Sequence, residues 1–404
     1  MDFKVLILGS DINAYTMARS FHEKYNMNVD ILTKSSILLI EESYFCNVTT
    51  VDNLYNNEVF KEELKKYGEK YKNEKIILVG TNDHYIGLIS RNEKFLSKWF
   101  LFNYPKIDIV NTFLDKSLFY EKFQKEFDMP KTFIYSCKDK KLNIKNMRFP
   151  LVVKPGDGHI YFTMKFDGQS KVYKVDDEIS LKKTITLIEN AGYNETLIIQ
   201  EFIPGDDSRL FDSMFYVNSN KKAQHASFAQ IALQEHTKTG VGNCTVLLNG
   251  YSEFGGAEKL ISKLKKFLES INYTGFAEFD FKYDARDNKY KLFEINPRQA
   301  RCSYYFGVSC KNLAQCLVDD LIYKKEEEFI FSKKRVVLSF VPIMVIKKHV
   351  VNKKLLKEIK STIKTKEIYN PVDYKKEKSF KIKLYVILKK LNYIKKYAKK
   401  NWWN

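Results

Sequence analysis

The chain has 404 residues, 44% of them apolar and 15% aromatic, so it can bury one large or two to three ordinary cores and is not a disordered polymer. It has no run of about 18 apolar residues, so no transmembrane helix is expected, and the start MDFKVLILGSD lacks the basic leader and cleavage site of a signal peptide. The net charge of +19 is uneven: residues 347–404 hold nineteen lysines against four acids and carry +15 of it.

KVLILGS (4–10) is a compact apolar run ending in glycine, and DINAYTMARSFHEKY after it has helical spacing. NVDILT (28–33) and KIILVGTND (75–83) give further strands, with a helical stretch between them. Alternating strand and helix patterns predict an open, Rossmann-like parallel sheet over residues 1–112. Ligands of such sheets sit beyond the strand carboxyl ends, here Ser10, Asp11, Thr81, Asn82 and Asp83. The glycines do not form a GxGxxG fingerprint.

FLDKSLFYEKFQKEFDMPKTFIY (113–135) predicts one amphipathic helix stopped near Met129–Pro130, then a strand. FPLVVKPGDGHIYFTMKF (149–166) reads as strand, lysine, glycine-bearing turn and second strand. TLIIQEFIPGDDSRLFDSMFYV (196–217) continues with strand, acidic loop and strand, and long helices are expected at 176–190 and 256–271. This part is α+β, mainly antiparallel. The six cysteines (Cys46, Cys137, Cys244, Cys302, Cys310, Cys316) form no CxxC pair and fit reduced thiols of a cytoplasmic protein.

FAEFDFKYDARDNKYKLFEIN (276–296) carries the chemistry. If it turns at Asp287–Asn288, Asp280 lies opposite Glu294 and Glu278 opposite Asn296, because side chains alternate along a strand. Phe279, Phe281, Tyr283, Phe293 and Ile295 would share the other face. Carboxylates facing each other destabilise a sheet unless neutralised. A hard divalent cation does this with oxygen ligands, and without His or Cys in the set Mg²⁺ or Mn²⁺ is preferred over zinc. A solvated polar face is the alternative.

The FEINPRQAR run, preceded by AEFDF, resembles the metal-binding end of the ATP-grasp superfamily, over roughly residues 1–325. Lys116 in DKSLF, Lys154 in LVVKPGDGH and Glu201 in IIQEFIPG follow in the family's order. The resemblance implies an ATP-grasp domain at 113–330, with lobes 113–203 and 204–330, after the Rossmann-like domain. It implies Asp280, Glu294 and Asn296 as metal ligands, with Glu278 in reserve for Asp280. Lys116 and Lys154 would face the ATP phosphates, as point charges suited to them. Gly156 and Gly158, in the turn ending at His159, would belong to the phosphate-covering loop. Glu201, with the backbone of Phe202 and Ile203, would meet adenine, and Asp207 rather than Asp206 the ribose. Arg298 would hold the transferring phosphoryl group and acyl intermediate, with Arg301 as a carboxylate-binding candidate. His236 and Lys238 are minor substrate-contact candidates.

The implied reaction is activation of a carboxylate by ATP and Mg²⁺ through an acyl phosphate, then attack by an amine. The general look is nearest the D-aspartate ligase type, which adds an amino acid to a peptidoglycan precursor. A ligase of free amino acids and a nucleotide-binding module without turnover are the alternatives. Expected partners are a small carboxylate and an amine, with a second copy of the chain also considered and no specific nucleic acid.

Residues 331–404 form a basic amphipathic C-terminal region. FKIKLYVILKKLNYIKKYAKKNWWN (380–404) places Leu384, Ile387, Leu388, Leu391, Ile394, Ala398 and Trp402 on one helical stripe amid lysines. Such a helix reads as a peripheral binder of the inner membrane surface. Packing on the protein's own body is the competing reading.

Overall fold

The computed structural model describes residues 3–235, 237 and 240–398; His236, Lys238 and Trp402 lie outside that set. Strands β1 (Phe3–Leu8), β2 (Val29–Thr33), β3 (Cys46–Thr50), β4 (Lys75–Gly80) and β5 (Phe100–Leu101) form a parallel sheet in the order β3-β2-β1-β4-β5. β3 is half-exposed and β5 has two residues, so neither announces itself as an apolar run. The ends of β1 and β4 lie side by side. Gly9 sits at φ +124°, where a Cβ would fall 2.1 Å from Thr81 Oγ1. Asp11 caps helix Ile12–Tyr25 by accepting from the Ala14 amide at 2.8 Å, and Asn82 caps helix Asp83–Arg91 by accepting from the Tyr85 amide at 3.0 Å.

A small antiparallel sheet follows, built from β6 (Thr132–Ser136), β7 (Leu151–Pro155), β8 (Tyr173–Val175) and β9 (Thr196–Glu201) in the order β6-β9-β7-β8. Helix Glu178–Asn190 covers it through Leu181, Ile185 and Ile188. The large sheet contains β10 (Leu210–Val217), β11 (Ala223–Gln234), β12 (Cys244–Asn249), β13 (Gly275–Asp284), β14 (Lys289–Asn296), β15 (Ile330–Ser332), β16 (Val336–Ser339) and β17 (Ile368–Tyr369). Its order is β14-β13-β10-β11-β12-β16-β17, with β15 paired to β11. Helix Ala257–Ser270 packs Ile261, Leu264 and Phe267 against the Phe279–Phe281 face.

Two local expectations are corrected. The helix expected from residue 113 onward is two helices, Ile107–Leu114 and Lys116–Phe123, broken at Asp115. Asp115 adopts an extended conformation, ends the first helix and caps the second through the Ser117 and Leu118 amides. Lys116 thereby opens a helix instead of riding on the middle of one. After β7 the chain forms the short helix Gly158–Thr163, not a second strand, because Asp157 accepts from the Ile160 amide.

Residues 331–398 return to the rest of the molecule. They supply β16 and β17 and the helices Ile343–His349, Lys353–Lys364 and Phe380–Ala398. Arg19 donates to the carbonyls of Asn370 and Pro371 at 2.8 Å each, and the His22 ring lies between the hydroxyls of Tyr374 (2.8 Å) and Tyr44 (3.0 Å). The last helix docks through Ile382, Val386, Tyr393 and Tyr397, with Tyr397 Oη donating to the Gln234 carbonyl at 2.6 Å. Leu384, Ile387, Leu388 and Leu391 of the expected stripe face outward, 44 to 56% exposed. No described helix is long and apolar enough to cross a membrane.

The start of β13 is fixed by close backbone contact with the segment after β5. Gly275 has φ +92°, and a Cβ there would lie 2.3 Å from the Asn103 carbonyl oxygen. Gly275→Ala should therefore destabilise the protein by at least about 2 kcal/mol, from left-handed strain and a backbone clash together. Equilibrium denaturation checks this, and an unchanged midpoint would refute it.

Candidate active site

The β13–β14 hairpin has the register anticipated for it: Asp280 lies opposite Glu294 and Glu278 opposite Asn296. Tyr283, Phe279, Phe281 and Ile295 point into the core beneath, as expected. Phe293 does not. The register shifts between Asp280 and Phe281, so Leu292 takes the core position and Phe293 is the extra residue of a bulge. Freed from the core, its ring lies 4.8 Å below Lys154 Nζ.

Glu294 is the focus of positive charge. Lys116 Nζ stands 3.7 Å from its Oε2. Burial works to raise its pKa, but Lys116, Lys171 and Lys154 overcome that and hold the carboxyl at about 2. Asp280 goes the other way: burial and the charges of Glu278 and Glu294 push it well above the carboxylate range, so Asp280 takes the proton of this pair. Glu278 is buried and accepts from Asn296 Nδ2 at 2.5 Å. Burial and neighbouring Asp212 raise its pKa strongly. Asp212 in turn accepts from Tyr305 Oη at 2.5 Å and from Cys302 Sγ at 3.1 Å. The oxygens of Asp280, Glu294 and Asn296 suit a hard cation, which would offset the mutual repulsion of the two carboxylates. The donor set fits Mg²⁺.

Lys154 donates to Gln200 Oε1 at 3.2 Å, and burial, then repulsion from Lys116, lowers its pKa to about 8. Lys171, which sequence reasoning missed, lies in the loop before β8. It is half-buried, and only folding brings it towards Glu294 and to 3.3 Å from the Cβ position of Gly242. Gly156 has a packing reason of its own: a Cβ would fall 2.2 Å from Thr196 Oγ1. Gly158 opens the short helix with free space around it.

At the other end of the cleft, the Glu201 carboxylate accepts from the Arg148 amide at 3.1 Å and its guanidinium at 3.4 Å. The Phe202 amide is used by the Pro150 carbonyl, whereas the Ile203 amide has no partner among the described residues. Asp207 accepts from the Gln234 amide and side chain at 2.9 and 2.7 Å. Lys282, also missed, lies 4.9 Å over the Phe202 ring; burial lowers its pKa to about 8 against the pull of Asp207 and Asp206. Its place in the alternation of β13 gave no hint of this partner.

Arg298 reaches across to the first sheet, where its Nε donates to Asp83 Oδ1 at 2.5 Å. Burial opposes its charge, but Asp83 dominates and holds it protonated. The neighbouring backbone is pinned there too: Asn13 Nδ2 donates to the carbonyls of Thr81 (2.7 Å) and Gln299 (2.8 Å), and Gln299 Nε2 donates to Gly80 O at 3.0 Å. Arg301, expected near a substrate carboxylate, instead donates to Tyr393 Oη at 2.8 Å and lies 4.5 Å over the Phe340 ring. It belongs to the docking of the last helix.

No family model matches the chain. A D-aspartate ligase of Enterococcus faecium (strain Aus0004) is 32% identical over 333 residues, covering 80% of this chain and 78% of the relative. The chain belongs to the D-aspartate ligase family. It is an ATP-dependent carboxylate–amine ligase with the ATP-grasp fold. Solved structures similar in fold include N5-carboxyaminoimidazole synthetase from Staphylococcus aureus complexed with ADP, at 15% identity and TM-score 0.62, covering 83% of this chain and 82% of that one. An L-amino acid ligase from Bacillus licheniformis matches at 13% identity and TM-score 0.56, covering 79% and 74%. The biotin carboxylase domain of Hydrogenobacter thermophilus 2-oxoglutarate carboxylase, in complex with MgADP, ADP and bicarbonate, matches at 12% identity and TM-score 0.61, covering 82% and 72%.

The pKa of Lys154 near 8 gives this D-aspartate ligase family member a pH signature. Below that value the lysine is charged and attracts phosphate; above it, binding a polyanion must first take up a proton. Affinity for Mg·AMP-PNP should fall as pH rises from 8 to 9.5, by up to about tenfold per unit. Calorimetry checks this, with Lys154→Met expected to bind more weakly and with a shallower profile over that range, since Lys282 still titrates near 8.

Proposed function

We propose that the protein attaches an acidic amino acid, D-aspartate first among candidates, to an amine of a peptidoglycan-precursor peptide, with ATP and Mg²⁺ (or Mn²⁺). The observation that carries this is the Asp280–Glu294 pair facing three lysines, in a chain 32% identical to a D-aspartate ligase. In the reaction, a carboxylate oxygen takes the γ-phosphoryl group and ADP leaves; the amine then attacks the acyl carbon, loses a proton, and phosphate departs. Bound Mg²⁺ would neutralise phosphate charge and orient the transferring group.

The protein's own residues bind and position. Asp280, Glu294 and Asn296 hold the metal, while Lys116, Lys154 and Lys171 receive phosphate oxygens. The unpartnered Ile203 amide and the Glu201 region receive adenine, and Asp207 the ribose. Arg298, pre-oriented by Asp83, offers its remaining N–H groups to the acyl and phosphoryl oxygens. A site of this kind needs no protein nucleophile.

ADP release in the presence of D-aspartate and a lysine-containing precursor peptide tests the reading. Glu294→Gln should lower the rate at least 100-fold while the fold, read by circular dichroism, is kept. If the wild-type protein releases ADP only with a different carboxylate, the D-aspartate assignment is wrong; if it binds Mg·ATP with no turnover on any carboxylate–amine pair, a nucleotide-binding module without turnover is the better reading.

The protein is further proposed to work in the cytoplasm against an anionic membrane surface. The last helix, held to the body by one face, leaves Leu384, Ile387, Leu388 and Leu391 outward, beside exposed Lys381, Lys383, Lys389 and Lys395. That pairing of apolar and basic residues suits an interfacial helix. Sedimentation with phosphatidylglycerol vesicles should carry the protein down. Leu384→Ser/Leu388→Ser/Leu391→Ser should release it, and equal sedimentation by both would refute the assignment. A change from dimer to monomer in the triple variant, without vesicle binding by the wild type, would instead give this face to a second copy of the chain.

A further inference from the structure

Gln234, the last residue of β11, spends all of its hydrogen-bonding groups on three separate segments. Its amide and its side-chain NH₂ donate to the two oxygens of Asp207 at 2.9 and 2.7 Å. Its Oε1 accepts from the Gly242 amide at 2.8 Å, and its carbonyl accepts from Tyr397 Oη at 2.6 Å. The residue is buried, so each of these groups is costly to leave without a partner. One side chain and its backbone thus join the acidic loop before β10, the loop between β11 and β12, and the last turn of helix Phe380–Ala398.

The sheet alone does not fix Gln234 in place. The pairing of β11 with β12 slips twice just ahead of it, between Ile231 and Leu233 and between Leu233 and Gln234. A ladder is locally disrupted at such slips. The last helix supplies what the ladder does not. Tyr397 Oη also meets Thr245 Oγ1 at 2.5 Å, and Thr245 donates to the Leu233 carbonyl at 3.1 Å. Lys396 pairs with Glu235 on the other side. The direction of Asp207 then depends on Gln234. Asp206, not Asp207, caps the short turn that follows by accepting from the Ser208 amide at 2.9 Å, and the Asp207 carboxylate turns to Gln234 instead. Two donors from one residue set the plane of a carboxylate, and each of its oxygens can accept a further hydrogen bond.

We propose that Tyr397 is a positioning residue for the nucleotide: through Gln234 it aims the Asp207 carboxylate at the ribose hydroxyls, on the reading of Asp207 given above. The last helix thereby sets the affinity for ATP, although the Tyr397 hydroxyl is itself spent on Gln234 and Thr245. Without that hydroxyl the buried Gln234 carbonyl loses its donor, the peptide tilts to find another, and the two donors on Asp207 move with it.

The test compares calorimetric binding of Mg·ATP and Mg·2′,3′-dideoxy-ATP to the full chain, with no carboxylate or amine substrate present. The ratio of the two dissociation constants reads the ribose hydroxyls, and a partial loss of folded protein does not move it. The wild type should prefer ATP by about tenfold, as expected for hydrogen bonds to a charged group. Asp207→Ala should abolish the preference. Tyr397→Phe, which keeps the ring beside His349, should weaken ATP by about threefold or more and leave the dideoxy nucleotide within about twofold. Gln234→Leu should do the same from the other end of the contact, and it decides the matter if Tyr397→Phe does not fold. Lys390→Gln, which breaks a surface pair of the same helix with Asp373, should leave both constants unchanged. An undiminished preference in Tyr397→Phe, or in Gln234→Leu where the former does not fold, beside a lost one in Asp207→Ala, would overturn the positioning role alone. An equal loss in Lys390→Gln would overturn it too, since the effect would then belong to helix docking in general. No preference in the wild type, or an undiminished one in Asp207→Ala, would overturn the ribose reading and the positioning role together.

Discussion

The opposition of Asp280 and Glu294 across β13 and β14 is the constraint around which the rest of the molecule is arranged. Two carboxylates placed face to face repel, and burial makes the repulsion worse by removing the water that would screen it. The fold answers by bringing lysines from three separate segments to one side: Lys116 from a helix start, Lys154 from a strand end, and Lys171 from a loop. Burial, and after it the crowding of those lysines, leaves Lys154 only weakly held in its charged form. Neither the acidic pair nor the basic set is comfortable alone. A metal cation on one side and phosphate oxygens on the other would neutralise both sets at once.

Arg298 extends this logic to the parallel sheet. Without Asp83 it would be a buried cation free to swing towards Glu278 of the hairpin. The 2.5 Å contact of its Nε with Asp83 fixes its direction. The Asn13 and Gln299 bonds fix the backbone on either side of the contact. The parallel sheet is thus a wall of the candidate site. The carboxyl ends of β1 and β4, where an open sheet places its ligands, here receive an arginine of the same chain.

The hairpin was legible in the sequence because alternation with a period of two fixes both faces once the turn is placed, and Asp287–Asn288 places it. The bulge at Phe293 was not, since a one-residue slip leaves the composition of each strand unchanged. Lys116 and Lys154 were legible through the order of motifs, whereas Lys171 and Lys282 have neighbours only in three dimensions. The break at Asp115 was obscured by the apolar spacing that continues through it, although an aspartate before Lys–Ser is a fair capping signal in hindsight.

The last helix shows where periodicity stops being informative. Its strongest apolar stripe runs from Leu384 to Leu391, and by the ordinary rule for a docked helix that stripe should be the buried one. The buried face is instead Ile382, Val386, Tyr393 and Tyr397, a set with two tyrosines. The reason is that the surface it meets is polar: Tyr397 reaches the Gln234 carbonyl and the Thr245 hydroxyl, and Tyr393 accepts from Arg301. Lys396 pairs with Glu235 beside them. A tyrosine face satisfies such a surface and a leucine face cannot, because each buried carbonyl or guanidinium would be left without a partner at a cost of about 1–3 kcal/mol. The leucines are therefore outward because the body selected the tyrosines, and the apolar stripe is left for something other than the protein's own core.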